Sequence, residues 1–142
     1  MFLLDTDPLT ILQRRSEPDC GRLRHRMSRY DRIDFCLSIV SYHEQALGAN
    51  AYIAQAKDRQ GVLRGYELLD QSLLDFDRFR VLPFDERAAV IFEELRNQRV
   101  RIGTMDLRIA SIALANDMPV MTRNLADFEQ VPQLRVEDWT RI

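Results

Sequence analysis

The 142-residue chain lacks any apolar run near the ~20 residues that a membrane-crossing helix requires, which excludes a spanning segment of that kind. Cysteine is scarce. Cys20 and Cys36 are the only two, and no secretory hydrophobic segment precedes them, which excludes a disulfide scaffold and leaves the thiols expected to be reduced in a cytoplasmic protein. Two cysteines this far apart in the chain argue against metal binding through sulfur. The five glycines are scattered, so no glycine-rich loop cradles a phosphate. Lys57 is the only lysine, and a net charge of −2 argues against a protein that coats nucleic acid by bulk electrostatics. No repeat, linker or low-complexity stretch divides the chain, and with 46% hydrophobic residues a single domain over 1–142 is expected.

What is present alternates in period. Phe2 to Leu4 predicts a short buried strand, followed by helical segments at Pro8 to Arg14 and Pro18 to Ser28. Ile33 to Val40, rich in β-branched and apolar residues, predicts a second strand, and Tyr42 to Ala56 and Val62 to Phe79 two longer helices. A third strand is expected at Arg80 to Leu82, closed by Pro83, and a helix at Asp85 to Val100. Met105 to Ala115 is apolar almost all round and should be a buried helix, with strands following at Pro119 to Thr122 and Leu134 to Val136. Short strands apolar on both faces and separated by helices indicate a three-layer α/β/α fold around a parallel sheet.

Four acids stand where such a fold gathers ligands, beyond the carboxyl ends of strands. Asp5 closes the first strand, Glu44 follows the second by one helical turn, Asp106 opens the buried helix, and Asp127 follows the strand ending at Thr122. Carboxylates gathered without a lysine or arginine beside them repel one another, and a hard divalent cation, Mg2+ or Mn2+, relieves that repulsion. Each acid also has a purely structural alternative. Ser41-Tyr42-His43-Glu44 fits a capping box, Thr104 and Asp106 suit a helix N-terminus, and Asp127 suits a cap on the turn Leu125 to Phe128. Asp5 has the weakest such alternative, because an unpaired carboxylate at the end of an inner strand is costly to bury. His25 and His43 have no nucleophile beside them and are assigned structural or surface roles. The arginines between Gln13 and Arg32 form either a solvated face or a phosphate-holding patch.

Together the segments Leu3-Leu4-Asp5-Thr6-Asp7, Leu37 to Glu44 with Gly48, Val81 to Asp85 with Ala88-Ala89, Ile102 to Ala110, Val120 to Asn124 through Asp127-Phe128, and Val136 to Trp139 resemble the PIN domain family, and within it the VapC-like toxins of bacterial toxin–antitoxin pairs. The resemblance implies a PIN-like fold and a Mg2+- or Mn2+-dependent endoribonuclease acting on tRNA or rRNA, homodimeric, and inhibited by a cognate antitoxin that inserts a segment near the cleft. Asp5, Glu44 and Asp106 match the family's most regular acidic positions. Many relatives carry aspartate at the place of Asn124, while others have asparagine there with an acid three residues on, which makes Asp127 the fourth acid and Asn124, Thr6 and Thr104 polar helpers. Asp7 replaces a common asparagine and adds a charge. The implied mechanism holds one ion on Asp5 and Asp106, with Asp127 completing its shell, and Glu44 binding it or assisting deprotonation of the attacking water.

Other readings remain open on the residues. The same carboxylates serve a DNA nuclease, and a metal-free pocket would serve a non-catalytic binding partner. Asp5-Thr6-Asp7 also resembles the nucleophile motif of haloacid-dehalogenase-like phosphatases, whose chemistry calls for a late lysine where this chain has only the early Lys57.

Overall fold

In the computed structural model, which describes all of residues 1–142, the elements run β1 (Phe2–Leu4), α1 (Thr6–Arg14), α2 (Asp19–Met27), β2 (Phe35–Ser38), α3 (Ile39–Gln55), α4 (Arg59–Arg78), β3 (Arg80–Leu82), α5 (Glu86–Asn97), α6 (Thr104–Ala115), β4 (Val120–Met121), α7 (Leu125–Phe128) and β5 (Val136–Glu137). The five strands form one sheet in the order β3-β2-β1-β4-β5, parallel throughout. Register places Leu3 against Cys36 on one side and Val120 on the other.

Successive strand residues point to opposite faces, and here both faces are covered. Leu3, Cys36 and Val120 enter a core shared with α5 and α6, while Leu4, Phe35, Leu37 and Met121 enter a second core with α1, α2 and Trp139. That double burial is why the strands read as unbroken apolar runs. Helix α6 carries Leu107, Ile109, Ala110, Ile112 and Ala113 fully inside. No helix is long and apolar enough to cross a membrane.

Several boundaries move for local reasons. Strand β2 starts at Phe35, not Ile33, because Arg32–Asp34 form a 3-10 turn closed by reciprocal Asp31 and Asp34 contacts, leaving Ile33 74% exposed. It ends at Ser38, whose hydroxyl accepts from the Ser41 amide and starts α3 three residues before the expected Tyr42. Helix α1 begins at Thr6 for the same reason. Asp5 is its N-cap, which puts Pro8 in the first turn, where a missing N–H costs nothing. Asp58 caps α4 by accepting from Gly61, so Lys57 lies exposed in the α3–α4 connection, not in a helix.

The arginines between Gln13 and Arg32 divide. Arg22 donates to the carbonyl of Thr140 and Arg26 to that of Asp138, with the Arg26 guanidinium 4.9 Å above the Trp139 ring. Arg24, Arg29 and Arg32 are exposed.

Candidate metal centre

The strand order reverses beside β1: the chain winds from β1 outward through β2 to β3, then returns to lay β4 on the other side of β1. A crevice opens outside the carboxyl ends of strands at such a switch point. Asp5 leaves the end of β1 and Thr122 the end of β4, with the Asp5 amide donating to the Met121 carbonyl at 3.0 Å. Asp5 and Thr122 thus face each other by register.

The cleft there is lined by Asp5, Thr6, Asp7, Glu44, Asp106, Arg123 and Asn124. Asp5, Glu44 and Asp106 each bring a carboxylate oxygen within 4.8 Å of the others. Three elements supply them. Asp5 caps α1, Glu44 lies in the second turn of α3, and Asp106 lies in the first turn of α6, where the helix N-terminus favours negative charge.

A ring of hydroxyls and amides holds these acids. Asp5 accepts from the Thr122 hydroxyl at 2.8 Å and from the Thr6 amide at 2.8 Å, so its rotamer is fixed at both oxygens. Thr6 donates its hydroxyl to Glu44 Oε1 at 2.8 Å and lies 2.9 Å from Ser41 Oγ. The capping box expected for Glu44 does not form, because Ser41 is buried inside α3 and Ser38 is the cap. Asn124 donates from Nδ2 to Asp127 Oδ2 at 3.0 Å and, more weakly, to Asp106 Oδ2 at 3.5 Å. Asp127 therefore stands beside the triplet, joined to it through Asn124, and also borders a neighbouring depression with Gly103 and Thr104. Thr104, expected as a polar helper, is exposed and bonds none of the acids, and the N-cap of α6 is Gly103.

Burial and mutual repulsion act on the carboxyls. Burial pushes Asp5 up to about 7, with the charges of Asp106 and Glu44 adding to it against the Thr122 and Thr6 hydrogen bonds. Asp106 is raised by burial first, then by Glu44 and Asp127. The cleft does contain a basic residue, contrary to the expectation that none stands near. Arg123 is spent elsewhere, however, on Asp7 at 2.6 and 2.9 Å and on Asp19 at 2.9 Å, and no ion pair relieves Asp5, Glu44 or Asp106. Three converging hard oxygens, one of them deeply buried, are a donor set that fits Mg2+ or Mn2+. Softer donors are absent from it: both cysteines are buried in the core, and His25 and His43 lie exposed without side-chain hydrogen bonds.

Thr122 and Arg123 were not singled out by sequence reasoning. The available signal was their place directly after a strand end, in the same position relative to β4 as Asp5-Thr6 to β1. A wider groove of about 630 Å³ adjoins the cleft, sharing Thr6 and Glu44 with it and running between α1, α3 and α4 past Gln13, Tyr52, Arg64 and Leu74.

Comparison with known proteins bears on the family and the fold. The model of the PIN domain matches residues 2–134. The chain is 30% identical over 144 residues to the tRNA(fMet)-specific endonuclease VapC of Shigella flexneri, covering 98% of each chain. It is 29% identical over 142 residues to the protein of the same name from Salmonella typhimurium, covering 97% of each. Among solved structures, the DNA-bound VapBC of Salmonella typhimurium superposes with a TM-score of 0.72 at 26% identity, over 97% of both chains.

Proposed function

The chain belongs to the PIN domain family, and from that premise we propose that it is an endoribonuclease, the toxin of a toxin–antitoxin pair, that hydrolyses RNA phosphodiester bonds with Mg2+ or Mn2+. One observation carries the reading: Asp5, Glu44 and Asp106 converge within 4.8 Å at the switch point of the sheet, unrelieved by any ion pair. Asp5, Glu44 and Asp106 would hold the ion, with Asp127 adding its charge through Asn124. When bound, such an ion supplies Lewis acidity to the phosphoryl centre and lowers the pKa of an attacking water.

The protein's own groups prepare that chemistry. Thr122 and the Thr6 amide keep both Asp5 oxygens in place without neutralising them, and the Thr6 hydroxyl does the same for Glu44. Preset ligands need no reorganisation during the reaction, which is where most of the advantage of a built polar site lies. Glu44 borders both the acidic cleft and the wider groove, which supports it as the carboxylate that binds the ion or assists deprotonation of the attacking water on the side from which substrate would arrive.

The substrate is proposed to be tRNA or rRNA, and the tRNA arm is supported by the relatives named tRNA(fMet)-specific endonucleases. The antitoxin is proposed to seat a segment in the groove between α1, α3 and α4, beside which Leu47, Tyr52, Leu63 and Leu74 are exposed. A homodimer is proposed with it, since apolar side chains left open along α3 and α4 are the kind that association covers.

Purified protein incubated with tRNA and rRNA and either ion tests this, beside an Asp106→Asn variant prepared identically. Cleavage that requires the ion and falls at least about 100-fold in the variant is the expected result, the range typical of removing one preset polar group at a reacting centre. Equal cleavage by the two proteins marks a contaminating nuclease, and cleavage of DNA alone transfers the reading to a deoxyribonuclease.

A further inference from the structure

A fourth carboxylate lines the cleft with Asp5, Glu44 and Asp106, but the chain itself takes it out of their company. Both oxygens of Asp7 are occupied: Arg123 donates from Nη2 to Oδ1 at 2.6 Å and from Nε to Oδ2 at 2.9 Å. The third donor, Nη1, goes to Asp19 Oδ2 at 2.9 Å, at the start of α2. A guanidinium forked on one carboxylate and tied to a second cannot turn away from either without losing the other. The charge assistance runs both ways, and the hydrogen bond with Asp7 is the main cause that raises Arg123 further above its usual value.

Arg123 is set in place by the residues on either side of it. Thr122 donates to Asp5, and Asn124 donates its amide to Thr122 Oγ1 at 3.0 Å and its side chain to Asp127 and Asp106. Thus Asp5-Thr6-Asp7 and Thr122-Arg123-Asn124 meet as two interlocked tripeptides. One pairing, Thr122 on Asp5, supplies no opposite charge and directs the carboxyl group into the cluster. The other, Arg123 on Asp7, cancels the charge. The number of carboxylates offered to a cation, and their rigidity, set its affinity.

We propose that Arg123 is a positioning residue that withholds Asp7 from the divalent-ion site, leaving the ion to Asp5, Glu44 and Asp106. The proposal rests on the reading of the cleft as an ion site and extends it to which acids are available there. Released from Arg123, Asp7 would bring a further charge to the same cleft and tighten ion binding. Asp19, bound by the same arginine but not lining the cleft, would not.

That difference supplies the test. Mn2+ is titrated calorimetrically into the metal-free full chain as wild type, R123Q, D7N/R123Q and D19N/R123Q, with thermal melts of each. R123Q is expected to bind Mn2+ roughly three- to tenfold tighter, the scale of one charge acting across a partly solvated site. D7N/R123Q should return to within about twofold of wild type while D19N/R123Q stays tight. The two double variants carry the wild-type net charge, so return of both points to bulk charge and overturns the proposal, as does unchanged affinity in R123Q. Should R123Q not melt cooperatively, R123M takes its place in the single and both double variants, since it keeps an aliphatic stem but carries neither the charge nor the fork, and the same ranking is expected. Wild type that takes up no Mn2+ fails the ion-site reading itself, a result separate from any ranking of the variants.

Discussion

Asp5 is the residue in which the conflict between stability and function is most concentrated. Its carboxyl is 5% exposed and pushed from the ordinary 3.8 to about 7, chiefly by burial. A folded value above the unfolded one means that the protonated form favours the fold. That contribution is present in full below about pH 4 and is lost as pH rises through about 7. In the metal-free protein at pH 8, Asp5→Asn should therefore stabilise, by roughly 2–4 kcal/mol, with the gain shrinking as pH falls toward 4. Thermal melts at pH 5 and pH 8 check both the sign and the trend. Added Mn2+ should raise the melting temperature of wild type and leave the variant unmoved, because binding to the folded state alone stabilises by mass action. A variant less stable than wild type at pH 8 would mean that the Thr122 and Thr6 hydrogen bonds outweigh the desolvation of the charge.

At the scale of elements, the position of Glu44 depends on how α3 is held at its start and along its sides. Ser38 starts the helix, and a polar network of Gln13, Gln45, Ser72 and Asp75 ties it to α1 and α4, with Gln13 donating to Asp75 Oδ2 at 2.7 Å and Ser72 to Gln45 Oε1 at 2.8 Å. Helices α3 and α4 close on each other at Gly65, where an added Cβ would lie 2.3 Å from Ile53 Cγ1. Gly65→Ala should thus cost about 1–3 kcal/mol through overpacking. Gly48, in α3, meets nothing within 4 Å, and Gly48→Ala should stabilise by about 0.5–1 kcal/mol through helix propensity alone. Urea titration of both variants separates the effects, and destabilisation of similar size in the two would show that packing at Gly65 is not the cause. The helix starts that sequence placed two or three residues too late, at α1, α3 and α4, are capped by the side chains of Asp5, Ser38 and Asp58. Each cap lies before the apolar periodicity begins, and so falls outside the pattern used to find the helix.

For the whole molecule, the two ends of the chain close one core together. Trp139 packs on Phe2 at 4.8 Å and Tyr30 at 5.5 Å, beneath Arg26, with Phe35 at 6.0 Å. Its indole N–H has no protein partner, so the ring matters for its volume and stacking, not its polarity. Trp139→Ala is expected to cost about 3–5 kcal/mol, and Trp139→Phe less than about 1.5 kcal/mol, measured by urea unfolding. A costly Trp139→Phe would instead assign the indole a hydrogen-bonding role. From its sequence alone this protein's class and layering were determined, because burial on both strand faces and on all sides of α6 leaves a signal in consecutive residues. The acids at strand ends were equally visible, since a charge directly after an apolar strand is a local event. Only the tertiary structure decided what holds or neutralises each acid: Thr122 reaches Asp5 across 117 positions and Arg123 reaches Asp7 across 116, pairings created when β4 returns to lie beside β1. Periodicity describes neighbours along the chain, whereas register and strand order bring distant residues together, and the chemistry of the cleft depends on the latter.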